Sequence, residues 1–188
     1  MKALLSMLLF SGCLAAAPAL AWGEPDPITL AIPHFEQEGN NWCWAALVQQ
    51  SIAWRGLGEP YQCQIVGMAN AARELMPFDC CANQADSNCN RTGTVPEIRS
   101  LIQAYGGRAE SVSPPGTPEE LHSYLRNQKA LICGVRVDAV NNHIYLVKGL
   151  YWENGRAMLL INDPAFPAPR RESFDEARAT WVETLAVE

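Results

Sequence analysis

The sequence predicts an α+β domain, with helices first and an antiparallel sheet after them. Two patterns carry this. Apolar side chains recur at helical spacing through residues 42–54, 62–75 and 94–106, whereas strand-like runs dominate from Leu131 onward. A third observation sets the scale: 188 residues, 48% of them hydrophobic, are enough for one buried core. Helices and a sheet built from separate stretches of chain bury their apolar faces against each other and leave a cleft along the seam. The expected domain covers 22–188, as a helical lobe over about 40–128 and a sheet lobe over about 130–188.

The elements follow in order. Residues 1–21 read as an export signal: Lys2 is the positive start, residues 3–17 the apolar stretch, and Ala19-Leu20-Ala21 a cleavage site. A rival reading places a lipidated Cys13 after Ser11-Gly12, and both export the chain. No later stretch approaches the ~18 apolar residues that a membrane span needs. Asn40 and Asn41 are capping residues before a helix over 42–54, which Gly56 stops. A second helix over 62–75 puts Ile65, Val66, Ala69, Ala72 and Leu75 on one face. Thr94-Val95-Pro96-Glu97 has the spacing of a capping box and opens a third, ended by Gly106-Gly107. Thr117-Pro118-Glu119-Glu120 starts a fourth by the same logic. LICGVRV, HIYLVKGLYW, RAMLLIN and, after a Pro-rich loop, TWVETLAV then read as strands.

Composition excludes some functions and shapes others. The 14 basic residues against 20 acidic ones give a net charge of -6, which argues against nucleic acid as a partner. Export turns the cysteines toward disulfides. Cys63, Cys80, Cys81 and Cys89 crowd together, and adjacent Cys80 and Cys81 seldom bond each other. Cys63 therefore pairs with one of them and Cys89 with the other, in an order the spacing leaves open. No CxxC pair supports a zinc cluster, and no metal or cofactor is expected. Cys133 lies in an apolar strand and reads as core. Trp54, Trp152 and Trp181 also read as core, and His34 and His122 as surface or loop histidines. Arg170-Arg171 is too short a basic run to signal a partner.

That leaves Cys43 alone. At a helix N-terminus its sulfur meets partial positive charge and unpaired N–H groups, which favour a thiolate and can hold an anion. Gln37, six residues earlier, can fold back to donate to a developing oxyanion. His143 opens a strand and Asp163 ends the next one. Imidazole can take the thiol proton, and a carboxylate on its far nitrogen fixes the tautomer. A two-residue turn at Asn154-Gly155 would turn His143 away from Asp163. A three-residue loop, Glu153 to Gly155, puts both on one face, and this is the expected arrangement unless Asp163 lies just past the strand end.

This constellation resembles the papain-like cysteine peptidases: Gln37, then Cys43-Trp44 on a helix, then His143 and a later polar partner. The fuller string, Asn41-Trp42-Cys43-Trp44-Ala45-Ala46, His143-Ile144-Tyr145-Leu146-Val147 and Asn162-Asp163-Pro164, is similar to a bacterial subgroup that includes a secreted avirulence protease of plant pathogens. The resemblance implies a helical lobe packed on a sheet lobe, and hydrolysis of a protein or peptide substrate through a thioester. Cys43 would be nucleophile, His143 base then acid, Asp163 orienter and Gln37 oxyanion donor. Two departures stand out: Trp42 occupies a place usually small, where it would crowd or line the cleft, and Asp163 replaces an Asn. Two other functions use the same residues, an amidase acting on peptidoglycan peptides and a binding module with an inert Cys43.

Overall fold

The computed structural model describes residues 24–73, 79–138 and 142–188. The expected signal segment 1–21 with Cys13, and Leu75 of the second expected helix, lie outside these. The described residues form β1 (Ile28–Thr29), α1 (Cys43–Trp54), α2 (Gln62–Ala72), α3 (Val95–Ala104), β2 (Ala109–Val112) and α4 (Pro118–Arg126). They continue with β3 (Ala130–Arg136), β4 (Asn142–Glu153), β5 (Arg156–Asn162), β6 (Arg170–Ser173), α5 (Phe174–Arg178) and β7 (Trp181–Val187). The fold is α+β: α1, α2 and α3 pack together, and α1 and α3 lean on an antiparallel sheet ordered β2-β7-β3-β4-β5-β6, with β1 added against β4.

Local chemistry sets the helix starts. Thr94 caps α3 in a capping box with Glu97 and a proline in the first turn, and Thr117 caps α4 by accepting from the Glu120 N–H. Two pieces of the stretch expected to be helical belong with the sheet instead. β2 pairs with β7, and α4 packs on β1, β3 and β4. β2 is only four residues with half its side chains in water, too short for its alternation to stand out.

The β4–β5 hairpin corrects the expected loop. Glu153 pairs with Arg156 around a two-residue turn, with Asn154 at φ 52° and Gly155 at φ 76°. The register then slips between Val147 and Gly149, so that Leu146 faces Asn162. Lys148 is the extra residue of a β-bulge. Its carbonyl accepts from the Leu30 N–H at 2.8 Å, and its Nζ reaches the Ile32 carbonyl at 3.0 Å. The segment around β1 thus takes up the bulged residue. Gly149 is needed beside it, because a Cβ there would lie 3.0 Å from the Ile28 carbonyl. The bulge restores the face that a two-residue turn alone would reverse, and Asp163 follows directly after β5.

The core runs through both lobes. Trp44, Leu47, Ile52, Ile65 and Ile98 bury on the helical side, and Leu131, Ile132, Leu146, Leu159 and Leu185 on the sheet. Cys133 is buried in β3 as expected, where burial pushes its thiol pKa up. Trp181 is also core, while Trp54 and Trp152 pack on it from its edge. No described helix is long and apolar enough to cross a membrane.

Candidate active site

Cys43 is the first residue of α1, half-buried and not in a disulfide. The expected caps do not cap it. The N-cap position is Trp42, without a side-chain bond, and Asn41 instead donates to the Asn90 carbonyl and Oδ1, both at 3.2 Å. The helix therefore begins with no side chain covering its first-turn N–H groups. Trp42 does not line the cleft either. It is wholly buried, its Nε1 donating to the Cys89 carbonyl at 2.8 Å and its ring against Gly39. Trp44 donates to the Arg91 carbonyl at 3.0 Å and lies flat on Gly93, where a Cβ would come within 2.4 Å of the ring.

These bonds tie α1 to a loop that disulfides brace. Cys63 joins Cys81 and Cys80 joins Cys89, the pairing the sequence left open. Buried Asn70 on α2 donates to the Asn88 carbonyl and accepts from Arg91, which also pairs with Glu97 on α3 at 2.6 Å. The loop consequently stands as one wall of a cleft.

That cleft has a volume of 460 Å³ and is lined by Cys43, Gly93 and Val95 on one side and Gly134, His143 and Glu183 on the other. His143 lines this cleft together with Cys43 and, through Nε2, bonds Asp163 Oδ1 at 2.6 Å. With Nε2 on the carboxylate, Nδ1 is the nitrogen left for sulfur. Burial disfavours the imidazolium, but the bond to Asp163 and the influence of Asp163 and Cys43 nearby outweigh it, and the His143 pKa rises to about 9. Asp163 is only 2% exposed; burial alone would raise its pKa, yet the His143 and Arg170 contacts hold it below the ordinary carboxylate value.

Gln37 stands in the irregular segment between β1 and α1, its own N–H on the Pro164 carbonyl at 2.9 Å. Its amide Nε2 donates to the carbonyls of Gly39 (3.0 Å) and Asn40 (2.8 Å), in the turn that leads into α1. A ladder of buried amides fixes this segment. Gln62 donates to the Glu36 carbonyl and accepts from the Glu38 N–H, Gln50 donates to the Phe35 carbonyl, and Asn162 donates to the Pro33 carbonyl and to Gln50 Oε1. His34 and His122 lie outside the cleft, each against a backbone carbonyl.

Sequence reasoning passed over Arg170. Its Nε donates to Asp163 Oδ2 at 2.9 Å, on the carboxylate oxygen that His143 leaves open. A basic residue placed across a Pro-rich turn from a strand-terminal Asp was the available signal. Asn162, inside the Asn-Asp-Pro string, was quoted without the tethering role it has here.

A family model described as papain-like cysteine protease AvrRpt2 matches residues 27–180. Among solved structures, the chain is similar to a putative C39-like peptidase from Bacillus anthracis, at TM-score 0.58 and 11% identity over 87% of this chain and 98% of that one. It is similar also to the peptidase domain of Streptococcus ComA, at TM-score 0.56 and 16% identity over 82% and 95%. Digestive procathepsin L 3 of Tenebrio molitor larval midgut gives TM-score 0.55 and 12% identity over 90% and 72%. No curated protein matches the chain in sequence.

Proposed function

From the premise that this chain belongs to the AvrRpt2 family of papain-like cysteine proteases, we propose that it is an exported endopeptidase whose nucleophile is Cys43. The observation that carries the reading is that His143, bonded to buried Asp163 at 2.6 Å, lines one cleft with the free thiol of Cys43. Export is supported by the two disulfides, which persist in oxidising compartments.

The chemistry follows from the placement. Nδ1 of His143 already holds the proton taken from Cys43, and the thiolate of this ion pair attacks the scissile carbonyl carbon. The tetrahedral oxyanion is met by first-turn N–H groups of α1 and by Gln37 Nε2, which leaves one of its two carbonyl partners to donate. As the C–N bond breaks, the imidazolium returns its proton to the leaving amine, and a thioester remains. Water then gives a proton to His143 and attacks the thioester, releasing the acid and the thiol. Asp163 stays ionised throughout and holds the ring.

The test sets the wild type against Cys43→Ala and His143→Ala on casein and on purified peptidoglycan, with iodoacetamide labelling carried out on a separate wild-type sample. Casein cleavage lost by more than about 10³-fold in both variants, with Cys43 as the labelled thiol, supports the reading. Peptide release from peptidoglycan alone would move the activity to the cell wall. An unlabelled, inert Cys43 would make the chain a binding module.

A further inference from the structure

Arg170 opens β6, and its guanidinium is fixed on several sides. Nε donates to Asp163 Oδ2 at 2.9 Å, and Nη1 pairs with Glu172. Its carbon lies 5.0 Å from the centroid of the Tyr145 ring and 5.9 Å from that of Phe166. Tyr145 stands two residues beyond His143 on β4, hence on the same face, and is itself locked by Trp181, whose Nε1 donates to the Tyr145 hydroxyl at 2.7 Å.

The donors on the Asp163 carboxylate divide unequally. Oδ1 accepts from His143 Nε2 and from the Ala165 N–H at 3.1 Å, whereas Oδ2 accepts from Arg170. At 2% exposure Asp163 has almost no water to replace a lost partner. If Oδ2 lost Arg170, the carboxylate would rotate or tilt toward another donor and pull Oδ1 from the imidazole.

We infer that Arg170 is a positioning residue: by pinning Oδ2 it holds Oδ1 on His143 Nε2 and keeps Nδ1 turned to Cys43. The role rests on the hydrolase reading above and adds a fifth side chain to it. It calls for arginine and not merely for charge. A planar guanidinium can bond Asp163 and Glu172 together while lying over aromatic rings; an ammonium is a point donor without that fork.

The experiment compares full-length wild type, Arg170→Met and Arg170→Lys, labelled with ¹⁵N-histidine. Three measurements are made: the His143 Nε2–H signal, the rate of iodoacetamide alkylation at Cys43, and kcat and KM on a casein-derived peptide. In R170M the Nε2–H signal broadens away and kcat falls about 10²-fold, as for a reacting group displaced by ~1 Å, with KM within about twofold. R170K restores the signal and stays about tenfold below wild type in kcat. An R170M protein with the signal and kcat intact overturns the inference. So does one that loses kcat while keeping the signal, since Arg170 would then act elsewhere. If R170M does not fold by circular dichroism, R170K decides, and wild-type kcat in R170K overturns the claim. Should the wild type be as inert as Cys43→Ala on casein, the hydrolase reading falls instead. The His143 signal would still report whether Arg170 fixes the pair.

Discussion

Asp163→Asn tests the relay at its most constrained atom. The carboxylate accepts from three donors, His143 Nε2, the Ala165 N–H and Arg170 Nε, and it donates to none. An amide offers one acceptor oxygen and one NH₂. If the oxygen turns to Arg170, the NH₂ faces His143, and the ring must present the Nε2 lone pair. Its proton then sits on Nδ1, toward sulfur, where it cannot receive the thiol proton. If the oxygen turns to His143 instead, the NH₂ opposes the Arg170 Nε–H and leaves a half-buried guanidinium short of a partner, at about 1–3 kcal/mol. Either way the charge that stabilises the imidazolium is gone. In a serine triad the equivalent change costs about 10⁴ in kcat through the wrong tautomer, and a loss of about 10²–10⁴ is expected here. The assay is kcat/KM on a casein-derived peptide between pH 5 and pH 10. Wild type should lose activity on the alkaline side as His143 titrates at about 9. In D163N that limb moves to lower pH, because two of the influences raising the His143 pKa come from Asp163. Activity within about threefold of wild type, with the limb unmoved, would refute the tautomer argument.

Stability should follow the same pair. The His143 pKa is raised from 6.5 to about 9, so its contribution is full below 6.5 and is lost as pH rises through 9. That difference couples about 3 kcal/mol to folding. The Asp163 pKa is lowered from 3.8, so its contribution is full above that value and is lost as pH falls through its folded pKa. Thermal melts across pH should place the relay's maximum contribution between 3.8 and 6.5, and D163N should flatten the curve; identical curves would contradict the linkage. Removing the Cys80–Cys89 bridge as a double serine variant should cost about 3 kcal/mol for so short a loop. It should also slow Cys43 alkylation, since that loop holds Trp42 and Trp44; a lower Tm with an unchanged alkylation rate would separate the loop from the site. Gly93→Ala places a methyl within 2.4 Å of the Trp44 ring and should destabilise the fold by about 1–3 kcal/mol, with reduced kcat; a wild-type melt would show that the wall yields freely.

Much of the architecture was legible because it rested on local signals. Thr94 and Thr117 cap where their spacing says they should, and the apolar faces of α1 and α3 are buried as their periodicity requires. The residues proposed for the site, Cys43, His143 and Asp163, could be named one by one, since each chemical type stood at an element's end. What the sequence did not disclose were properties of two segments at once. The β4 bulge exists because the β1 segment occupies the Lys148 carbonyl and Nζ, and nothing within HIYLVKGLYW announces that a distant strand will do so. Arg170 fell from view for the same reason. Beside Arg171 it reads as a short basic run, and it gains meaning only where β6 pairs with β5 and sets it opposite Ile161, within reach of Asp163. Asn41 read as a cap until folding offered it Asn90 as a partner.

The site's geometry then follows from how the chain closes on itself. Gln37 and Cys43 precede His143 by about a hundred residues, so their alignment cannot come from local stiffness. It comes from buried amides. Asn162, next to Asp163, donates to the Pro33 carbonyl and to Gln50 on α1, while Gln62 on α2 holds Glu36 and Glu38 on either side of Gln37. One polar ladder thereby ties the segment that carries Gln37 and leads into α1 to the strand end that carries Asp163. Replacing Asn162 by Leu leaves Gln50 Oε1 and the Pro33 carbonyl unpaired in a dry interior, at about 1–3 kcal/mol for each group left without a partner. The loss should also appear as a joint fall in Cys43 alkylation and kcat, although Asn162 is not among the side chains that line the cleft. A variant that melts earlier yet alkylates and turns over like wild type below its transition would show that the ladder stabilises the fold without aligning the site.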